Sequence, residues 1–188
     1  AVEKATGTTD LRKIGGLGRR MPITGCSFLL AGFAFVGFPG FNAFFSKDLI
    51  FDAALQTNVL FYIIALLGVF GTAASFLKVM HAAFFGPLRL PQGIQREEVR
   101  EVPLCMLLPM FILAAGCLLF GLFNRLPLGV IQPLLGERLA GVEYAGWPHS
   151  MLLVLISIVC LLLAVGNHIL AYRYTGSALK SVDHFRYI

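Results

Sequence analysis

Residues 22–56 read PITGCSFLLAGFAFVGFPGFNAFFSKDLIFDAALQ, and this apolar block decides how the chain is arranged. Its 35 residues are too many for one straight membrane helix, which needs about 20, and too few for two comfortable ones. The middle of the block contains Gly37, Pro39 and Gly40. Proline removes a backbone donor and glycine loosens a helix, so we expect the helix to break there. The block is then either one pass broken near mid-membrane or two short helices joined by a turn.

The remainder of the chain has the composition of a membrane protein. Of 188 residues, 57% are hydrophobic and only 13% are charged, against about 25% charged in soluble domains. Three further apolar blocks follow at about 59–85, 102–123 and 148–172, each long enough to cross the bilayer as a helix. The sequence therefore predicts an all-α, polytopic membrane helix bundle of about four passes, forming a single domain over residues 1–188. It excludes a disordered chain, a disulfide scaffold and a water-soluble nucleic-acid-binding protein.

The distribution of Lys and Arg distinguishes the two interpretations of the first block. One broken pass places residues 1–21, residues 86–101 and the C-terminal tail on one side, with 11 basic residues against 2 on the other. Two passes would divide them 7 and 6. Cytoplasmic loops carry the excess of Lys and Arg. We therefore expect one broken pass in the cytoplasmic (inner) membrane, with residues 1–21, residues 86–101 and the tail in the cytoplasm.

Lys47 is a basic residue inside the first block. If the second half-helix begins near Phe44, Lys47 lies in its first turn and about 15 Å from the far face, half the thickness of a ~30 Å hydrocarbon core. Its side chain cannot easily extend to an interface from that depth, and an ionisable group there indicates function. Desolvation and the helix dipole disfavour its ammonium, whereas the adjacent Asp48 favours it. We predict that Lys47 loads and releases a proton.

Four other ionisable residues are candidates for the same proton path. Asp48 and Asp52 share one helical face, although Asp52 lies close enough to the far face to be hydrated. Lys78 lies near the cytoplasmic end of the second block, where its side chain can also extend to the interface. His81, one turn later, titrates near neutral pH, and we predict that Lys78 and His81 form the cytoplasmic mouth of the path. We interpret His168 as a packing or interfacial residue.

The sequence indicates no other chemistry. It contains no C-x-x-C pair, phosphate-binding loop, zinc signature or nucleophile elbow. We therefore expect this chain to bind no cofactor or metal and to have no enzymatic activity of its own.

Three stretches together resemble one family: GTTDLRKIGGL at 7–17, RMP at 20–22 and GFPGFNAFFSKD at 37–48. They are similar to the antiporter-like, proton-conducting subunits of respiratory complex I, specifically the L-type subunit. The same type of subunit occurs in membrane-bound energy-converting hydrogenases and in Mrp-type cation/proton antiporters. The resemblance implies a broken membrane helix with a Lys at the break, here Lys47, followed by an acidic residue, here Asp48.

The resemblance also implies a function and a set of partners. The first expectation is a proton-translocating, non-redox subunit of a redox-driven respiratory complex of the complex I or hydrogenase type. The alternatives are a subunit of a Na⁺/proton antiporter without a redox partner and a purely structural membrane subunit. Family members are much longer, so we expect this chain to correspond to a C-terminal half, as the product of a split gene or as a fragment. The expected partners are the N-terminal half, other membrane subunits and the lipid bilayer, with no nucleic acid. Peripheral redox subunits would carry the iron–sulfur, flavin or NiFe centres.

Overall fold

The computed structural model describes residues 1–135 and 151–176, and its regular structure there is helical. The helices are α1 (Val2–Thr6), α2 (Pro22–Val36), α3 (Asn42–Thr57), α4 (Val59–Met80), α5 (Leu104–Leu122), α6 (Arg125–Leu135) and α7 (Met151–Thr175). A 3₁₀ turn at Leu17–Arg19 precedes α2, and a π turn at His81–Phe85 extends α4. The predicted all-α class is confirmed.

Three of the described helices are long and apolar enough to cross a membrane. They are α4 with its π turn (Val59–Phe85), α5 and α7, whereas α2 is a shorter apolar helix. Large apolar side chains such as Ile64, Leu113 and Leu163 are exposed on their outer faces, as expected where lipid replaces water. The second predicted pass has the bounds expected from the sequence. The fourth extends three residues beyond its predicted end, because α7 ends at Thr175, while residues 148–150 lie outside the described residues.

The first apolar block is discontinuous. Helix α2 ends at Val36, and α3 begins at Asn42, two residues before the expected start. Gly37 closes α2 in the left-handed conformation with φ of 85°, and its N–H donates to the carbonyl oxygens of Phe33 and Ala34. Pro39 has no N–H to continue either helix. The local chemistry of the turn therefore accounts for the break.

Helix α4 shows that α2 and α3 are two halves of one pass. At one end of α4, the ring of Phe84 lies 5.2 Å from that of Phe28 in α2. At the other end, the ring of Tyr62 lies 6.0 Å from that of Phe51 in α3. Val36, at the break, packs against the middle of α4. The two halves therefore lie end to end along α4, as a single broken pass requires.

Residues 1–21 and 86–102 pack together at one end of the bundle. Gly15 and Arg89 exchange two backbone hydrogen bonds, of 3.0 and 3.1 Å. Beneath this bridge, the buried side chains of Ile14, Leu17 and Val99 belong to one apolar cluster. Two complete passes between residues 22 and 56 would have placed these segments at opposite ends, so their packing agrees with one broken pass.

Glu101 fixes the start of α2 beside the start of α5. Its Oε1 accepts hydrogen bonds from the backbone N–H groups of Ile23 (2.6 Å) and Thr24 (3.1 Å), and its Oε2 accepts from the Thr24 hydroxyl (2.9 Å). A carboxylate at a helix N-terminus satisfies donors that have no partner within the helix and complements the helix dipole. Helices α2 and α5 therefore leave this end together.

Helix α5 reaches the break with its C-terminal end. A side chain at Gly121 would overlap the carbonyl oxygen of Gly40 and the backbone of Phe41, so only glycine allows this approach. The turn between α2 and α3 is thus held between α4 on one side and the end of α5 on the other. This packing gives the break a defined position inside the bundle.

Candidate functional site

Lys47 reaches back across the break to the end of the preceding helix. It lies in the second turn of α3, not the first, because α3 begins at Asn42. Its Nζ donates hydrogen bonds to the carbonyl oxygens of Phe35 (2.8 Å) and Val36 (2.9 Å), in the last turn of α2. Those carbonyls have no partner within a helix and form the negative end of the α2 dipole. The ammonium is therefore stabilised by the helix that precedes the break.

Gly37 makes room for this side chain. A Cβ at Gly37 would lie 2.8 Å from Cδ and 3.3 Å from Nζ of Lys47, closer than such atoms normally pack. Its φ of 85° also falls in the region that only glycine adopts readily. The same residue therefore ends α2 and lets the lysine pass over the exposed end of that helix.

Asp48 and Lys47 both border a small internal cavity. The side chain of Asp48 is buried, with 6% of its surface exposed. The cavity has a volume of about 10 Å³, close to the minimum that one water molecule needs. It is lined by α2, α3, α4 and α7, through Val36, Gly37, Phe44, Lys47, Asp48, Phe51, Val69, Ser157 and Leu161. A buried carboxylate and an amine at one small cavity can exchange a proton through a single water molecule.

Asp52 does not line this cavity. It lies one turn after Asp48 on α3 and is half-buried. Its Oδ2 accepts a hydrogen bond of 2.8 Å from Nε2 of Gln56, on the same helix. Of the two predicted carboxylates, only Asp48 borders the cavity that Lys47 also borders.

Tyr62 is a polar residue of this region that the sequence analysis missed. Its side chain is 7% exposed, and its hydroxyl is buried without a hydrogen-bond partner among the residues that the structure describes. The ring packs edge to face on Phe51, and Asp48 acts on the hydroxyl electrostatically. A buried hydroxyl normally has a partner, often an ordered water. In the sequence, Tyr62 is only one aromatic residue within an apolar run, with nothing to mark its depth.

Lys78 and His81 lie at the other end of α4 and meet a third residue. Nδ1 of His81 is 3.0 Å from Nε2 of His168 in α7, and the ring of Tyr172 lies 4.5 Å from that of His81. Lys78, one turn earlier, is half-buried and acts electrostatically on His168. His168, interpreted from the sequence as a packing or interfacial residue, makes a polar contact with His81. Sequence spacing cannot reveal a pair whose members are 87 residues apart.

The two groups of residues lie at different levels of the bundle. Lys47 borders the same cavity as Val69, whereas His81 is about 12 residues further along α4. That separation corresponds to roughly 18 Å along the helix axis. One set of ionisable residues therefore lies near the break, and the other lies near the end of the bundle at which residues 86–102 pack.

Residues 1–75 match the family described as NADH:quinone oxidoreductase/Mrp antiporter, transmembrane. The chain belongs to this family of antiporter-like membrane subunits. The resemblance found in the sequence is thereby confirmed, and the matched part includes α2, α3, Lys47 and most of α4.

Three relatives illustrate the range of the family. The chain is 30% identical to a probable K⁺/H⁺ antiporter subunit of Rhizobium meliloti (strain 1021), over 98% of this chain and 19% of the relative. It is 33% identical to a Na⁺/H⁺ antiporter subunit of Bacillus subtilis (strain 168), over 70% of this chain and 18% of the relative. It is 40% identical to the NADH-quinone oxidoreductase subunit L of Mycobacterium tuberculosis (strain CDC 1551 / Oshkosh), over 60% of this chain and 18% of the relative. The chain thus spans about a fifth of the length of the curated relatives it matches.

Proposed function

We propose that this chain is the part of an antiporter-like subunit that carries protons at Lys47, within a redox-driven respiratory complex. The observation that carries the proposal is the Lys47 ammonium held by two carbonyl oxygens across a helix break, beside the buried Asp48. Ionisable groups at membrane depth commonly belong to ion or proton pathways. The names of the family and of two relatives, a K⁺/H⁺ and a Na⁺/H⁺ antiporter subunit, support proton translocation as the activity of the whole subunit.

The two carbonyl contacts suit a lysine that changes its protonation state. An ammonium has three N–H donors and a neutral amine has two, so either form satisfies the oxygens of Phe35 and Val36. The remaining position donates a proton from the ammonium or accepts one at the lone pair of the amine. A water molecule in the adjacent cavity can take up or supply that proton. Proton exchange then leaves neither of these two carbonyl oxygens without a donor.

Asp48 makes the protonation of Lys47 sensitive to other charges. A buried ammonium is stable when a buried carboxylate compensates it, and loss of either charge leaves the other uncompensated. Anything that changes the electric field or the hydration at the break therefore shifts the proton on Lys47. In a redox-driven complex, partner subunits would supply that change, and this chain would carry no redox centre itself.

The orientation in the membrane follows from the charges at the two ends of the bundle. Residues 1–21 and 86–101 lie at one end and carry most of the basic residues of the described chain. By the positive-inside rule, this end would face the cytoplasm, with the chain in the cytoplasmic (inner) membrane. The C-terminal end of α7 is at the same end, since Tyr172 contacts His81. The tail beyond residue 176 was expected to be cytoplasmic and lies outside the described residues.

A cation/proton antiporter without a redox partner is the second candidate function. The extent of similarity favours it, because the match to the K⁺/H⁺ antiporter relative extends over 98% of this chain, against 60% for the oxidoreductase subunit L. Lys47 and Asp48 would serve the same role in both complexes. A purely structural membrane subunit is the third candidate, and the experiment on Lys47 tests it.

Substitution of Lys47 in the intact complex tests the proposal. We expect Lys47→Ala to lower the rate of proton translocation in membrane vesicles roughly 100-fold, because the proton-carrying group is removed. Lys47→Arg should lower it comparably, since a guanidinium keeps the charge and the donors and does not release its proton. Lys13→Ala, at an exposed lysine, is the matched control and should leave the rate unchanged.

The arginine variant separates a proton carrier from a structural pair. If Lys47 only bridges α2 and α3, arginine should restore the rate that alanine loses. Proton translocation at the original rate in an assembled Lys47→Ala complex would overturn the proposed function and leave the structural candidate.

A further inference from the structure

A second ionisable cluster lies at the end of the bundle that carries residues 86–101. His81, in the π turn after α4, and His168, in α7, approach to 3.0 Å between Nδ1 and Nε2. Both side chains are half-buried and lie between two helices. In the proposed function the Lys47 site contains neither of them.

A direct contact between two imidazole nitrogens restricts the protons that the pair can hold. A hydrogen bond at 3.0 Å requires one nitrogen to carry a proton and the other to accept it. The contact therefore exists when at least one ring is neutral, and it holds one shared proton. A pair of this kind can bind one additional proton at an outer nitrogen without losing its hydrogen bond.

We propose that His81 and His168 form a proton relay between α4 and α7, through which protons pass between the solvent at this end and the path of Lys47. This inference rests on the proposed function and assigns His168 to the route. A proton binds the outer nitrogen of one ring, and the shared proton moves across the 3.0 Å contact. The other ring then releases a proton from its own outer nitrogen, so one proton enters as one leaves.

The neighbouring groups support a relay more than a packing contact. Lys78 lies one turn before His81 on α4 and acts electrostatically on His168, so its positive charge disfavours a second positive charge on the pair. From α7, Tyr172 lies one turn after His168 and places its ring 4.5 Å from that of His81. The ring of Tyr172 packs against that of His81, and Lys78 is the next ionisable residue along α4 in the direction of Lys47.

The backbone around His81 and His168 also supports a functional role for the pair. The helix widens into a π turn at His81–Phe85, a feature that is frequent at functional sites. The carbonyl of His81 accepts a 2.7 Å hydrogen bond from the N–H of Gly86, which closes the turn. On the facing helix, Ala164 is completely buried, one turn before His168, and allows α7 to lie close to α4. The two rings therefore meet because both backbones are fixed around them.

Glutamine variants in the intact complex test the relay. Glutamine keeps a hydrogen-bonding side chain but does not bind a proton at ordinary pH. We expect His81→Gln and His168→Gln each to slow proton translocation about tenfold at about pH 8, with a smaller defect at about pH 6, where protons are more abundant. The double variant should be no slower than either single variant, since both residues serve one route. Asn167→Ala, at an exposed neighbour on α7, is the control.

Chemical rescue distinguishes the loss of a proton carrier from a disturbance of helix packing. In His168→Gly, added imidazole should restore translocation if the missing group is a proton carrier. Lack of rescue together with a defect of equal size at both pH values would overturn the relay, as would unchanged rates in the glutamine variants. If those rates are unchanged while Lys47→Ala abolishes translocation, the relay fails and the proposed function remains. Unchanged rates in Lys47→Ala would instead overturn the proposed function itself.

Discussion

Lys47 lies between two helix ends of opposite polarity. Its own helix, α3, presents the positive end of its dipole, which disfavours an ammonium. The carbonyl oxygens of Phe35 and Val36, at the end of α2, present the negative end and accept its hydrogen bonds. The sequence argument included only the first of these effects. The break thus places the ammonium between a helix end that destabilises it and a helix end that stabilises it. Such a balance suits a side chain that changes its charge.

Gly37 gives a prediction at this scale. Gly37→Ala places a Cβ 2.8 Å from Cδ of Lys47 and forces a left-handed backbone on an alanine, which costs about 1–3 kcal/mol. We expect the lysine to lose its contacts with the α2 carbonyls and proton translocation to fall about tenfold, while the complex remains assembled. Translocation in vesicles, together with the amount of assembled complex, measures both effects.

Gly68→Ala is the matched control for this substitution. Gly68 lies inside α4, and a Cβ there would meet nothing within 4 Å. The control should leave the translocation rate unchanged, since alanine fits a helix interior better than glycine. Equal rates in both variants would contradict the role assigned to Gly37.

At the scale of the elements, the continuous helix α4 keeps the broken pass aligned. Phe84 contacts α2 near one end of α4, and Tyr62 contacts α3 near the other. A helix pair interrupted by five residues would otherwise be free to bend at the interruption. Because α4 runs past both halves, the break stays internal and the lysine remains opposite the end of α2.

The start of α2 depends on a carboxylate from another segment. Glu101→Ala removes the acceptor of three hydrogen bonds from Ile23 and Thr24 and leaves two backbone donors without this partner. We expect a loss of about 1–2 kcal/mol in stability and a lower thermal transition of the detergent-solubilised complex. Glu97→Ala, at an exposed position of the same loop, should leave the transition unchanged. Equal transition temperatures for the two variants would contradict the capping role.

At the scale of the whole molecule, the outer surface of the described bundle is largely apolar. Exposed apolar side chains extend along α4, α5 and α7, and lipid or neighbouring membrane subunits would cover them. The chain also aligns with only about a fifth of the length of its relatives. A chain that acts within a larger membrane complex, as proposed above, would have such a surface.

For the whole molecule, we predict which proteins co-purify with an affinity-tagged chain. In the proposed redox-driven complex, mild detergent should recover peripheral subunits that contain iron–sulfur or flavin centres, visible in the absorption spectrum. A cation/proton antiporter should give only membrane subunits and no such absorption. A preparation that sustains cation-driven proton exchange without redox centres would replace the first candidate with the second.

Much of the fold could be predicted from the sequence because the bilayer imposes strong local rules. The length of the apolar blocks predicted the passes, and Gly37, Pro39 and Gly40 predicted the break in the first block. The division of Lys and Arg predicted that residues 1–21 and 86–101 share one end. The expected start of α3 was late by two residues, since Asn42 and Ala43 form its first turn together with the aromatic residues that follow.

The sequence by itself determined the helical class and the break in the first apolar block, because each depends on local composition and turn chemistry, and it predicted the depth of Lys47 from the fixed rise of a helix. Only the tertiary structure decided which groups meet. It joined Lys47 to the carbonyls of α2, Glu101 to the start of the same helix, and His81 to His168. These contacts depend on how separate helices pack, and neither periodicity nor spacing along one helix specifies that arrangement.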